Sequence, residues 1–266
     1  MLAVFRQSSL KLGLLVAALS LSGCSTSPTG RNQIIMFSNA EMSQLGEQSF
    51  AEMKKQLPIS KDQKTNQYVG CVANAIIKQV PPQAGYANWE VVVFASEQVN
   101  AFALPGGKIG VYTGLLEVAE NQDQLATVIG HEVAHVLANH SNERLSQTQL
   151  TNLGLQLSSA ALGSSQYHDI AMAGLGLGAQ VGILLPYGRT QESESDMLGL
   201  ELMAQAGFNP NESVKLWLNM AKAAKGSNPP ELFSTHPSHN TRIQDLQHKI
   251  ATLPPTANKK PNCTKP

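Results

Sequence analysis

The chain has 266 residues, of which 42% are hydrophobic and 14% are charged. This length and composition support one sizeable hydrophobic core with appendages. Lysine plus arginine and aspartate plus glutamate are balanced at 19 each, and aromatic residues make up 5%. Such a chain lacks the basic surface that attracts nucleic acid or acidic lipids, so we expect no nucleic-acid partner.

Residues 1–23 have the pattern of a bacterial lipoprotein signal peptide. Arg6 and Lys11 precede an apolar stretch, 12–21, that is too short for a transmembrane helix. The stretch ends in Leu21-Ser22-Gly23-Cys24, which resembles a lipobox, so we expect lipidation of Cys24. Ser25 at the next position implies the outer membrane by the usual sorting rule. The prediction is a Gram-negative protein anchored on the periplasmic side of the outer membrane; an ordinary secretory signal is the alternative.

Two further cysteines follow, Cys71 and Cys263. Because the periplasm is oxidising, we expect them to form a disulfide that ties the C-terminal tail, 255–266, to an early helix. Two free thiols are the alternative. At the other end, residues 24–35 are rich in Ser, Thr, Pro and Gly and predict a short tether.

The first elements of the body follow in chain order. Ser38 and Glu41 have the spacing of a capping box and begin a helix that extends to about residue 57. A second helix covers about 61–79. Residues 89–94 are rich in β-branched and aromatic side chains, which predicts a strand.

A β-hairpin is predicted over 100–112, with its turn at Pro105-Gly106-Gly107. The proline favours an edge position for the first strand. An extended peptide can add to such an edge by β-pairing. Candidate substrate-binding residues are therefore Asn100, Ala101, Phe102 and Ala103, and a purely structural hairpin is the alternative.

The predicted helix over 122–139 carries His131-Glu132-Val133-Ala134-His135. His131 and His135 are four residues apart, so both imidazoles project from one face and can bind one Zn2+. Glu132 lies about 100° away and can act as the general base without being a ligand. The alternative is a solvated helix that carries two histidines by chance. The surrounding apolar residues argue against it: Leu125, Val128, Ile129, Val133, Val136 and Leu137.

His140 lies about 180° from His131 around this helix, so we do not count it as a ligand and expect it in a hydrogen bond or at the helix end. Residues 146–185 are mostly Leu, Ala, Gly, Ser and Gln. We interpret them as a pair of helices packed over the active-site helix. Membrane or substrate contact is the alternative.

Zinc needs a third protein ligand, and Ala138 and Ser141 exclude the metzincin pattern. Downstream, helical spacing places Glu192 and Asp196 on one face. Glu192 is then a candidate ligand and Asp196 a candidate acceptor for a ligand N–H. Spacing alone leaves Glu194 and Asp196 open as ligands, and a merely acidic helix start is the alternative.

Several motifs together resemble the HtpX/CAAX-prenyl-protease family of gluzincin zinc metallopeptidases, in particular its periplasmic lipoprotein (LoiP/YggG-like) branch. The resemblance covers nearly the whole mature chain. It rests on the segments 100–107, 130–135, 185–189, 192–196, 206–210 and 234–237. The family's Glu-x-x-Ala-Asp pattern implies that Glu192 is the third zinc ligand. Ser195 stands where the family has Ala, which leaves that assignment standing.

The resemblance also implies a role for His236, on a loop near the metal. It would occupy the fourth zinc position in a latent state or steady the oxyanion in an active one. On the sequence alone a turn histidine without such a role would be favoured. Arg189 and Arg242 are weaker candidates for ordering that loop or the carboxylates.

The expected fold is α+β and mainly helical: an active-site helix, a small sheet with an edge hairpin, and packed helices. One metallopeptidase domain would span 36–254. The expected function is a zinc endopeptidase that hydrolyses unfolded or misfolded envelope proteins, with the outer-membrane assembly machinery as a partner. The alternative is an assembly or chaperone-like factor for outer-membrane proteins with latent or weak protease activity.

Overall fold

The computed structural model describes residues 24–82, 88–162, 185–223, 241–255 and 259–266, together with Leu232 and His236. The predicted signal peptide and residues 163–184, which are part of the stretch 146–185, lie outside the described residues. Within the described part, no helix combines the length and hydrophobicity needed to cross a bilayer.

The elements confirm a mainly helical α+β fold. The strands are β1 (Cys24–Thr26), β2 (Asn32–Ile34), β3 (Glu90–Phe94), β4 (Ala101–Leu104) and β5 (Lys108–Tyr112). The helices are α1 (Asn39–Gln56), α2 (Gln63–Ile77), α3 (Leu115–Val118), α4 (Gln122–Leu137), α5 (His140–Leu162), α6 (Leu185–Gln205), α7 (Asn211–Ala223) and α8 (Arg242–Thr252).

Local signals in the sequence account for many of these boundaries. Ser38 and Glu41 form the predicted capping box at the start of α1. Gly106 and Gly107 have φ angles of 84° and 73° in the β4–β5 turn, a conformation that glycine adopts without steric cost. Asn139 has a φ of 55° and turns the chain from α4 into α5.

The three-stranded sheet has the order β3-β5-β4. β4 pairs antiparallel with β5, as the predicted hairpin requires. β3 pairs parallel with β5 on the other side, a connection that no local sequence signal indicated. β4 is therefore an outer strand of this sheet, and it packs beside α4.

The active-site helix α4 runs through the centre of the main core. It packs against α2, β4, α6 and α7, and its side chains are buried on nearly every side. The helix therefore buries polar side chains such as His131 and Glu132 as well as its apolar residues. A smaller aromatic cluster of Phe50, Phe94 and Tyr112 joins α1 to the sheet.

The cysteines and the N-terminal segment are both held on the body. Cys71 and Cys263 form a disulfide, with 5.7 Å between their Cα atoms. The predicted tether is folded as an antiparallel β1–β2 hairpin in which Ser27 and Gln33 are buried. The polar side chains of this hairpin form hydrogen bonds and ion pairs with the helices. The composition of the segment alone could not indicate these contacts. On α5, by contrast, Leu150, Leu153 and Leu157 are exposed.

Candidate metal centre and active site

α4 presents its histidines from a firmly anchored helix. Asn121 caps its N-terminus by accepting from the amides of Asp123 and Gln124, both at 3.0 Å. Within α4, His131 and Glu132 are buried and His135 is nearly so. A rigid, buried helix fixes the direction in which these side chains point.

Four side chains bring ligand atoms together: His131, His135, Glu192 and His236. One nitrogen or oxygen of each lies within 4.8 Å of all the others. The Nε2 atoms of His131 and His135 are 3.0 Å apart. Two ligands about 2.05 Å from a tetrahedral zinc would be about 3.3 Å apart, so this spacing suits a shared metal.

Glu192 completes the same group from α6. Its Oε2 lies 3.3 Å from His131 Nε2, and its Oε1 lies 3.3 Å from His135 Nε2. Oε2 is buried and has no hydrogen-bond partner among the described residues. A buried carboxylate oxygen in this position fits a bound cation, so the residues present fit zinc. Although burial acts in the opposite direction, contacts with the histidines hold the pKa of Glu192 well below its ordinary value.

Asp196 and Arg242 support His131 from behind. The Asp196 Oδ1 is 2.9 Å from His131 Nδ1, so Nδ1–H donates to it and Nε2 is left free for a metal. Arg242 is buried, donates to the same carboxylate oxygen over 2.7 Å, and stacks 3.4 Å from the centre of the Trp217 ring. Burial raises the pKa of Asp196, but Arg242 and His131 together lower it below its ordinary value.

His140 supports His135 in a similar way. Its Nδ1 lies 2.9 Å from His135 Nδ1, and its Nε2 lies 3.1 Å from Glu194 Oε2. His140 is thus in a hydrogen-bonded position behind the metal-site histidine. Glu194 points away from the four-residue cluster, toward His140 and Arg31.

Glu132 lies between the cluster and β4. Its carboxyl is buried, and burial raises its pKa, while the nearby His236 and His131 and a hydrogen bond from the Ala103 backbone act to lower it. His236 Nε2 is 3.4 Å from Glu132 Oε1, and His236 Nδ1 is 2.9 Å from Glu192 Oε1. β4 therefore runs alongside the candidate base, which the Ala103 backbone contacts through a hydrogen bond.

Arg189 does not contact the site carboxylates, and most of the loop around His236 lies outside the described residues. Arg189 is exposed on α6 and makes no hydrogen bond or ion pair with the described residues. It lies on the same side of α6 as Asp196 but seven residues, or about 10 Å, away along the helix axis. The arginine that contacts Asp196 is Arg242, which comes from α8.

Sequence reasoning missed Arg31 altogether. Arg31 pairs with Glu143 and Glu194, which are 112 and 163 residues away in the chain. No local pattern marks a residue whose partners are so distant.

The side chain of Cys24 is outside the described part, so lipidation of Cys24 stays a prediction.

Comparison with known proteins adds an independent line of evidence. The family model described as Peptidase family M48 matches residues 63–250. Mitochondrial metalloendopeptidase OMA1 of Schizosaccharomyces pombe is 37% identical over 65% of this chain and 50% of its own length. Metalloendopeptidase OMA1 of Bos taurus is 31% identical over 90% of this chain and 48% of its own length.

A bacterial relative is also similar. The Beta-barrel assembly-enhancing protease of Escherichia coli (strain K12) is 25% identical over 80% of this chain and 44% of its own length. The chain therefore spans about half the length of the curated relatives it matches. The family match covers well over half of the chain and includes every residue of the histidine and glutamate cluster. The resemblance inferred from the motifs is thus confirmed, and the chain belongs to peptidase family M48, whose members are zinc-dependent metallopeptidases.

Proposed function

We propose that this protein is a zinc metalloendopeptidase in which His131, His135 and Glu192 hold the metal. The observation that carries the proposal is the convergence of their ligand atoms, with that of His236, within 4.8 Å of one another. Zinc bound there supplies Lewis-acid polarisation of the scissile carbonyl and activation of water.

Glu132 is the general base. Its buried carboxyl, with a pKa raised by burial, accepts a proton from the attacking water and then donates a proton to the leaving amine. Asp196 keeps His131 in the tautomer whose Nε2 is free. The outer strand β4, through Ala101, Phe102 and Ala103, and the preceding residue Asn100 hold an extended substrate segment by β-pairing next to Glu132.

We infer that the substrates are unfolded or misfolded proteins of the bacterial envelope. The name of the bacterial relative, Beta-barrel assembly-enhancing protease, supports a connection with outer-membrane protein assembly. The resemblance of residues 21–24 to a lipobox supports an anchor at Cys24 on the periplasmic side of the outer membrane. Palmitate labelling and membrane fractionation of the wild type and Cys24→Ala would test the anchor, since label that persists in the variant contradicts it.

The substitution Glu132→Gln tests the enzymatic proposal. We expect it to abolish cleavage of an unfolded protein such as casein and to leave bound zinc unchanged, because Glu132 is not a ligand. Gel assays and elemental analysis of the full chain measure both, and the exposed Glu117→Gln serves as a matched control. Undiminished cleavage by Glu132→Gln would rule out the assigned base.

A binding or assembly role without catalysis is the second candidate. It is favoured by the position of His236 within the ligand cluster, where it would occupy the fourth position of a bound zinc. If Glu132→Gln rescues an envelope-stress phenotype as well as the wild type does, this second role is the relevant one.

A further inference from the structure

The loop between β1 and β2 places one arginine between two buried carboxylates. Arg31 donates from Nη1 and Nη2 to the two oxygens of Glu143, over 2.6 and 2.7 Å, and from Nε to Glu194 Oε2 over 2.9 Å. The side chains of Glu143 and Glu194 are only 1% and 3% exposed. Such a bidentate, desolvated contact is directional and stronger than a surface ion pair.

From Glu194 the contacts lead directly to a metal-site histidine. If His135 binds zinc through Nε2, its proton is on Nδ1 and is donated to His140 Nδ1. His140 then carries its own proton on Nε2 and donates it to Glu194 Oε2. Each link is 3.1 Å or shorter, so the orientation of His135 depends on where Glu194 is held.

The same hairpin makes two more contacts around this chain of hydrogen bonds. Thr29 donates to the second oxygen of Glu194 over 2.5 Å. The buried Gln33 donates over 2.6 Å to the carbonyl of Ala138, the residue that ends α4. The hairpin thus contacts α4, α5 and α6 where they meet beside His135.

We propose that Arg31 is a positioning residue of the zinc site, which fixes His135 for metal binding through Glu194 and His140. The inference rests on the proposed function, because it takes His135 as a zinc ligand. It also makes the β1–β2 hairpin, which begins at the predicted lipid-bearing residue Cys24, part of the metal site rather than a passive spacer.

The test measures zinc binding in the full chain, with Arg31→Gln as the main variant. Competition with a chromophoric chelator gives the affinity, and the visible spectrum of the cobalt-substituted protein reports ligand geometry. We expect about tenfold weaker zinc binding and an altered cobalt spectrum, since lost support of a ligand histidine costs about 10–100-fold. Arg31→Lys, which cannot bridge both carboxylates, should be intermediate.

Two controls separate positioning from a general loss of stability. Arg144→Gln removes an arginine from an exposed position of α5, next to Glu143. Phe50→Leu weakens the packing of the aromatic cluster. Both should bind zinc like the wild type. If Phe50→Leu weakens zinc binding as much as Arg31→Gln does, the role of Arg31 is only structural and the proposal fails.

The remaining outcomes of the zinc-binding measurements also support or overturn the proposal. Wild-type affinity in Arg31→Gln overturns the proposal. If Arg31→Gln does not fold, Thr29→Val removes only one donor to Glu194 and should weaken binding by a smaller factor; no change overturns the proposal. His135→Ala separates the two hypotheses: undiminished zinc binding in this variant refutes the ligand assignment of the proposed function, and the role of Arg31 with it.

Discussion

Asp196 and Arg242 form a buried ion pair directly behind His131, with 2.7 Å between Oδ1 of the carboxylate and Nη2 of the guanidinium. The side chains are only 3% and 1% exposed. Breaking such a pair leaves a buried charge without its partner, which is more costly than removing both. The pair therefore supports the tautomer of His131 and the packing of α8 at the same time.

This arrangement predicts strong coupling between Asp196 and Arg242. Asp196→Asn and Arg242→Met should each lower the free energy of unfolding by about 3–5 kcal/mol, and the double variant should lose clearly less than their sum. Asp196→Asn should also weaken zinc binding by about 10–100-fold. Denaturant unfolding and chelator competition measure both effects. Additive losses would show that the two residues act independently.

His236 is predicted to restrain the activity of the resting enzyme. Its nitrogen lies within the ligand cluster, where it would compete with a substrate carbonyl for the bound metal. His236→Ala should therefore raise the rate of casein cleavage by roughly the inverse of the fraction of open molecules. The exposed His248→Ala is the matched control. A fall in rate with unchanged zinc content would instead assign His236 to stabilising the oxyanion.

A close helix crossing brings the third ligand to the two histidines. α6 passes α4 at Gly199 and Gly130, where a Cβ built on Gly199 would lie 2.8 Å from the backbone nitrogen of His131. Gly199→Ala should push the helices apart, with a loss of about 1–3 kcal/mol in the free energy of unfolding and weaker zinc binding. Thermal melts and chelator competition measure the two losses.

Gly70→Ala on α2 provides the control for that substitution. Nothing lies within 4 Å of a Cβ at Gly70. Alanine should therefore stabilise this helix by about 0.5–1 kcal/mol, because it loses less backbone entropy on folding. If both alanine variants behave alike, the crossing at Gly199 does not limit the position of α6.

Local patterns in the sequence predicted much of the fold. The capping box at Ser38 and the turn at Gly106 and Gly107 depend on neighbouring residues only, so their elements lie where they were expected. The spacing of His131 and His135 depends only on helix geometry, and the structure brings their nitrogens together. Glu192 could not be chosen over Glu194 by spacing alone, and only the family resemblance favoured it.

Contacts between distant parts of the chain could not be predicted from local patterns in the sequence. Arg31 sits in a segment whose composition predicted a tether, yet its charge is stabilised by carboxylates on α5 and α6. The parallel pairing of β3 with β5 likewise depends on how the hairpin meets the preceding strand. In each case the partner is fixed by packing of the whole domain, which no short window of sequence contains.

The acid stability of the protein should depend on Glu212. Its carboxylate accepts from Asn121 and Gln124 at the N-terminus of α4, each over 3.0 Å, and pairs with Lys215. Burial acts in the opposite direction, but these contacts lower its pKa from 4.5 to about 2. The folded protein therefore holds this proton less tightly than the unfolded chain, so the stabilisation is complete above pH 4.5 and is lost as the pH falls toward 2.

Glu212→Gln should therefore lower the free energy of unfolding by about 1–2 kcal/mol at pH 7. The difference from the wild type should shrink as the pH falls from 4.5 toward 2, because acid neutralises Glu212 in the wild type as well. Denaturant unfolding of the zinc-free protein at several pH values measures this without interference from metal loss. The exposed Glu47→Gln should show no comparable difference. If the difference in free energy of unfolding between Glu212→Gln and the wild type stays constant down to pH 2, the shape of the Glu212 side chain, rather than its charge, accounts for its contribution.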